Sequence, residues 1–279
     1  MEYFIFNGKY FTEKAGILSA NSRGLRFGDG LFETLKSNNG LVAFIDEHFA
    51  RLWKGLQVLQ FNIPKHFTPD HLQEEIAKLL NKNGHHNMAR IRLTIFRGDG
   101  GLYDEINNIP NYLIQTWPLA DEIGRWNSNG LVLGIYTDVK KSCDLLSNLK
   151  HNNFLPYAMA AMHAKKQKWN DALLLNTDGR LCDTSIANIF LIKDEVIYTP
   201  ALPEGCIAGI MRKNVIDHLK EGNYKIIEGK ISVDDLFAAD EVFLTNSIYN
   251  IRWVQGIGDK KYTNIETQKI YTAVFSTNS

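Results

Sequence analysis

The sequence predicts an α+β fold in two domains. Three observations carry that expectation: 279 residues of which 44% are hydrophobic, short β-prone runs interleaved with helical periodicity in both halves, and a polar break near residue 120. The chain has enough apolar material for a core and is long for one domain. With 21 Gly and 7 Pro, it is neither collagenous nor disordered in composition.

Tyr3-Phe4-Ile5-Phe6, Leu31 to Leu35 and Leu41 to Phe44 read as strands. Asn38-Asn39-Gly40 supplies a hairpin turn between the last two, because Asn and Gly tolerate the left-handed backbone that such a turn needs. Asp46 reads as a helix N-cap, followed by Phe49, Leu52, Trp53, Leu56 and Leu59 at helical spacing. A second helix is expected after Thr68, with Pro69 at its first position, where a missing N–H costs nothing. Strands from Ala89 to Phe96 and Tyr112 to Trp117 complete an α+β unit.

Ala120 to Gly124 and Asn127-Ser128-Asn129-Gly130 are polar and turn-rich, which places the domain boundary at 120/121 and the domains at 1–120 and 121–279. The second domain reads as a strand at Leu131–Tyr136, a helix at Leu155–Lys168, strands at Ala172–Asn176, Ile186–Lys193 and Val196–Thr199, a helix from Ile207 to Leu219, and strands at Tyr224–Glu228 and Val242–Thr245.

Charge narrows the function. Thirty-one Lys and Arg balance 31 Asp and Glu, which argues against nucleic acid as partner, since phosphate binding draws on a cationic surplus. No run approaches the roughly 18 apolar residues of a membrane span, and Met1-Glu2-Tyr3 does not begin a signal peptide, so a cytoplasmic protein is expected. Cys143, Cys182 and Cys206 are too few and too dispersed for a disulfide scaffold, and no metal-ligand spacing occurs. Gly28-Asp29-Gly30 and Gly98-Asp99-Gly100-Gly101 lack the third spaced glycine of a dinucleotide loop and read as tight turns.

Two elements suit an anion. Gly209, ahead of Ile210-Met211-Arg212, leaves room for a ligand to approach the free amides of Ile210 and Met211 at a helix start. Arg51, in His48-Phe49-Ala50-Arg51-Leu52, carries a fork that can grip a phosphate in bidentate fashion.

These two segments, taken with Ser147-Asn148-Leu149-Lys150-His151-Asn152-Asn153-Phe154-Leu155 and Cys182-Asp183-Thr184-Ser185-Ile186-Ala187-Asn188-Ile189-Phe190, resemble the class IV aminotransferases. That family comprises branched-chain aminotransferases, D-amino-acid aminotransferases and 4-amino-4-deoxychorismate lyases, all using pyridoxal 5'-phosphate (PLP). The resemblance runs from about Phe6 to Val254, with the motifs in family order.

It implies a fold-type IV enzyme similar to D-amino-acid aminotransferase: a small α/β sandwich, a larger barrel-like mixed domain, PLP in the cleft between them, a homodimer, and a small amino substrate. Lys150 matches the catalytic lysine that links the cofactor. Asp183 stands where the family usually has a glutamate facing the pyridine nitrogen. Arg51 and the Gly209-Ile210-Met211 segment match the phosphate site, with Thr245, Asn246 and Ser247 as further cofactor contacts. Asn188 is expected to order its turn. Arg26, Arg97, Tyr103 and Arg252 are candidates for a substrate carboxylate.

Subfamily features point to a lyase. Branched-chain enzymes usually carry a tyrosine after the asparagine near the lysine, whereas Phe154 follows Asn153. Thr245-Asn246-Ser247-Ile248 and Lys150-His151 are also more similar to aminodeoxychorismate lyases. The alternatives are an amino-acid aminotransferase using 2-oxoglutarate, and a non-catalytic ligand-binding relative.

Overall fold

The computed structural model describes residues 2–12, 14–103 and 107–275. Two compact units emerge. The first contains residues 1–123 together with 149–154, and the second contains 124–148 and 155–279.

The first unit contains β1 (Tyr3–Phe6), β2 (Lys9–Thr12), α1 (Arg23–Phe27), β3 (Gly30–Asn38), β4 (Leu41–Val42), α2 (Ile45–Val58), α3 (Pro69–Asn83), β5 (Ala89–Phe96) and β6 (Asn111–Pro118). Its strands form one antiparallel sheet in the order β2-β1-β6-β5-β3-β4. The β3–β4 hairpin turns through Asn39 and Gly40, at φ 50° and 78°, the positive pair a two-residue turn requires. The expected Leu41–Phe44 strand stops at Val42, because Phe44 adopts φ 54° and caps α2. Asp46 is therefore in the first turn of α2, where its charge complements the helix dipole.

Thr68 caps α3 by accepting from the amide of His71 at 3.1 Å. Leu72, Ile76, Leu79 and Leu80 of α3 and Phe49, Leu52 and Leu56 of α2 pack with Leu31, Leu35, Ile91, Leu93, Ile95 and Ile114 from the sheet. Full burial of such side chains contributes roughly 1.5–3 kcal/mol each.

The second unit contains β7 (Leu131–Lys141), α4 (Leu155–Gln167), β8 (Asp171–Asn176), β9 (Leu181–Thr184), β10 (Asn188–Lys193), β11 (Val196–Pro200), α5 (Ile210–Glu221), β12 (Ile226–Gly229), α6 (Val233–Ala238), β13 (Glu241–Asn246), β14 (Asn250–Ile257), β15 (Lys260–Lys261) and α7 (Ile265–Phe275). Its sheet runs β12-β11-β10-β13-β14-β7-β8-β9, with β15 beside β14. The β7/β8, β7/β14 and β11/β12 pairs are parallel and the others antiparallel. Terminal strand β9 returns against β10 and β11, so the sheet curls toward a barrel. Leu173, Leu181, Ile189, Leu191, Val242, Leu244 and Val254 fill it.

Leu149–Phe154 falls in the first unit, although the residues on either side of it belong to the second. Leu31 and His151 form an antiparallel bridge. The amide of Phe32 donates to the Lys150 carbonyl at 2.8 Å, and that of Asn152 to the Gly30 carbonyl at 2.9 Å. Sheet pairing of this short segment overrides its position in the chain.

Candidate active site

In the first unit, the Lys150 segment lies along the start of β3. Gly30 is obligatory there: a Cβ would overlap the Ile95 carbonyl oxygen and come within 2.6 Å of Asn152 Nδ2. Lys150 Nζ lies 4.4 Å from the centroid of the Phe32 ring and 5.6 Å from that of Phe154. The two rings meet edge to face at 5.2 Å. Arg92 places its guanidinium 3.9 Å over the same Phe32 ring, and burial lowers its pKa. Arg92 was not singled out from the sequence, since an arginine at a polar phase of a strand reads as solvated. Its cross-strand neighbour is Thr34, and the next pair on that face, Lys36 and Arg90, adds two cations. Burial pushes Lys36 down to about 8.

Arg51 is engaged rather than free. Its Nε donates to Glu33 Oε1 at 2.8 Å and its Nη2 to Oε2, and His48 Nδ1 lies 2.7 Å from Oε2. Glu33 is buried on the inward phase of β3, between Leu31 and Leu35. Burial alone would raise its pKa, but the adjacent charges of Arg51 and His48 outweigh that and bring it to about 2. A carboxylate at an apolar strand phase was the signal that could have revealed this network. Any phosphate on Arg51 would share that guanidinium with Glu33.

Arg97 leaves the group of substrate-carboxylate candidates. Its guanidinium is buried, bonded to Asp29 at 3.0 and 3.1 Å and to the Leu59 carbonyl, and lies over Phe61. Asp29 also accepts from Arg23, so the Gly28-Asp29-Gly30 turn is an anchor for two arginines.

In the second unit, α5 begins at Ile210, not Ile207, with Gly209 as its N-cap. Ile207 instead donates its amide to Asp183 Oδ2 at 3.1 Å. The later start makes Ile210 and Met211 the first two helical residues, whose amides have no acceptor within the helix. Gly209 is required by packing, because a Cβ would overlap Asn188 Oδ1. Asn188 itself donates to the Ile207 carbonyl at 2.9 Å, ordering that loop as expected. Asn148, which the sequence did not flag, ties the same loop down through the Leu202 and Cys206 carbonyls at 2.8 and 2.6 Å.

Asp183 is 2% exposed and its Oδ1 is a buried atom with no hydrogen-bond partner. Oδ2 accepts from Tyr157 Oη at 2.9 Å and lies 3.5 Å from Lys141 Nζ. Thr245 is also buried with an unpartnered hydroxyl. Asn246 spends its side chain on the turn after β13, accepting from the amides of Ile248 and Tyr249 at 3.0 and 2.7 Å and donating to the Ile186 carbonyl at 3.3 Å. Ser247, the next residue in that turn, is half-buried.

This residue set fits PLP. A pyridinium N–H needs a buried acceptor, which Asp183 Oδ1 could provide, and a phosphate needs amides without a helical acceptor at a helix start, as those of Ile210 and Met211 are. Among the described residues, no group of three or more His, Cys, Asp or Glu could hold a metal ion, and no helix is long and apolar enough to cross a membrane.

The family model of class IV amino-transferases matches residues 30–257. The chain belongs to that family of PLP-dependent enzymes. Among its relatives, the aminodeoxychorismate lyase of Bacillus subtilis is 31% identical over 254 residues, 88% of this chain and 83% of that one. A putative branched-chain-amino-acid aminotransferase of Methanocaldococcus jannaschii is 28% identical over 267 residues, 95% of this chain and 91% of that one. The fold matches a branched-chain aminotransferase from Thermoproteus uzoniensis with norvaline at a TM-score of 0.88, with 22% identity over 98% of this chain and 93% of that one. It also matches a T.th. branched-chain aminotransferase complexed with N-(5'-phosphopyridoxyl)-L-glutamate, at a TM-score of 0.85, with 23% identity over 99% and 93% of the two chains.

Proposed function

We propose that this chain is a 4-amino-4-deoxychorismate lyase, releasing pyruvate and 4-aminobenzoate. The observation that carries the cofactor side of this reading is the buried, unpartnered Asp183 Oδ1. Leaning the family membership toward a lyase are the 31% identical B. subtilis relative and Phe154, which follows Asn153 and offers a ring where a tyrosine would offer a hydroxyl.

Bound PLP supplies an electron sink for a bond broken at the substrate carbon that carries the amine. The chain's own residues do the rest. Lys150 would hold the cofactor, and its Nζ, when not engaged with it, would carry protons between substrate atoms. Phe32 and Phe154 keep water from that amine. Asp183 Oδ1 would accept the pyridine N–H and hold the positive charge in place. The amides of Ile210 and Met211, with Arg51, Thr245 and Ser247, would hold the phosphate dianion. Arg92 takes a substrate carboxylate. A homodimer belongs to the same reading, supported by the exposed apolar stripe of Leu155, Met159 and Met162 on α4, as does a cytoplasmic setting, consistent with three unpaired cysteines.

The second reading is an amino-acid aminotransferase, favoured by the M. jannaschii relative, which spans more of this chain. Purified enzyme given aminodeoxychorismate and no keto acid separates them. Pyruvate should form at a rate independent of added 2-oxoglutarate; amino-group transfer to 2-oxoglutarate without pyruvate would overturn the lyase.

A further inference from the structure

The two oxygens of Asp183 are used unequally. Three donors converge on Oδ2: the Tyr157 hydroxyl at 2.9 Å, the Ile207 amide at 3.1 Å and the Lys141 ammonium at 3.5 Å. Oδ1 has none. Lys141 also donates to the Tyr157 hydroxyl and, at 3.4 Å, to the Ser147 carbonyl. The tyrosine is thus pinned from one side while it donates to the carboxylate on the other. All three side chains are buried: Lys141 at the end of β7, Tyr157 on the inward phase of α4 with Ala160 and Ala164, and Asp183 in β9.

We propose that Tyr157 and Lys141 are positioning residues for Asp183. By holding Oδ2 they leave Oδ1 as the single oxygen directed at the cofactor's ring nitrogen, which lets an aspartate serve where the family usually has a glutamate. The proposal rests on the PLP reading above. The geometry also explains why the shorter acid is kept. A glutamate would advance the carboxylate by about 1.5 Å, one C–C bond, toward a hydroxyl already at 2.9 Å. Burial and the Asp183 charge raise the Tyr157 pKa well above 10, so the phenol stays protonated and donates. Among the described residues, the other titratable groups facing the cluster are the thiols of Cys182 and Cys206, both pushed up by burial and so neutral, and the Arg212 guanidinium near Cys206.

The test uses the full chain, PLP itself as the probe, and the variants Tyr157→Phe, Lys141→Met, Asp183→Glu and the double variant Asp183→Glu/Tyr157→Phe. Losing one hydrogen bond to a charged group should weaken PLP retention roughly tenfold in Tyr157→Phe and move the pH midpoint of the bound cofactor's visible absorbance by about half a unit or more. Asp183→Glu should bind PLP poorly alone and recover in the double variant, where the added methylene has room. Wild-type retention and midpoint in both Tyr157→Phe and Lys141→Met would overturn the proposal. So would a glutamate tolerated equally with and without Tyr157, or losses that merely follow the melting temperatures of the cofactor-free variants. A wild-type chain that takes up no PLP would remove the cofactor reading together with this one, whereas uptake by the wild type and all variants alike would remove this one only.

Discussion

Glu33 shows how one residue can set the pH range of a unit. Its folded pKa of about 2 lies below the ordinary 4.5, so the network with Arg51 and His48 contributes fully above pH 4.5 and drains away as pH falls toward 2. The whole span is on the order of 3 kcal/mol. In urea unfolding, the stability gap between wild type and Glu33→Gln should shrink by about half from pH 7 to pH 3, and an unchanged gap would show that the carboxylate is not held ionised. Arg92 offers a second residue-scale test. If it takes a substrate carboxylate, Arg92→Met should raise KM roughly 10- to 100-fold, the cost of one desolvated charge pair, while PLP retention stays at the wild-type level. A KM that does not move would return Arg92 to a role on the Phe32 ring alone.

At the scale of elements, the segment that carries Lys150 is decisive. It is held by β3 through the Phe32–Lys150 and Gly30–Asn152 backbone bonds, and Gly30 allows the approach by having no side chain. Gly30→Ala should therefore cost roughly 1–3 kcal/mol of stability, as overpacking does, and should weaken PLP retention more than an equally destabilising core change such as Ile76→Val. Equal retention at equal stability would mean that the segment's seat on β3 does not bear on Lys150. The start of α5 makes a related point. Four-residue spacing put Ile207 in register with Met211, Val215 and Leu219, yet the helix begins at Ile210 because Ile207 gives its amide to Asp183 and its carbonyl to Asn188. A tertiary partner overrode the helical pattern.

For the molecule as a whole, ligand linkage supplies the measurement. A cofactor that binds only the folded chain stabilises it by about 2.7 kcal/mol at roughly 100 times its Kd, so PLP should raise the unfolding midpoint, and Lys150→Ala should reduce that rise while leaving the cofactor-free midpoint near the wild type. No rise with added PLP would count against the enzyme reading at its base.

Much of this protein was legible in its chain. Hydrophobic period and turn residues located β1, the β3–β4 hairpin, α3 with its Thr68 cap, β5 and β6, because these depend on interactions between near neighbours. The ordered motifs around Arg51, Lys150, Asp183 and Gly209 identified the family, because such chemistry demands particular residue types. What the chain concealed was decided by long-range contact. Glu33 and His48 were invisible as a network because their pairing joins a strand to a helix across 15 positions. Lys141 lay beyond the expected Leu131–Tyr136 strand, and Tyr157 lay in an ordinary expected helix. The sequence by itself determined the class of fold and the family. Only the tertiary structure decided that Lys150 pairs with the first unit, that Arg97 is an anchor, and which oxygen of Asp183 is left open, since burial and hydrogen-bond geometry exist only once distant parts of the chain have met.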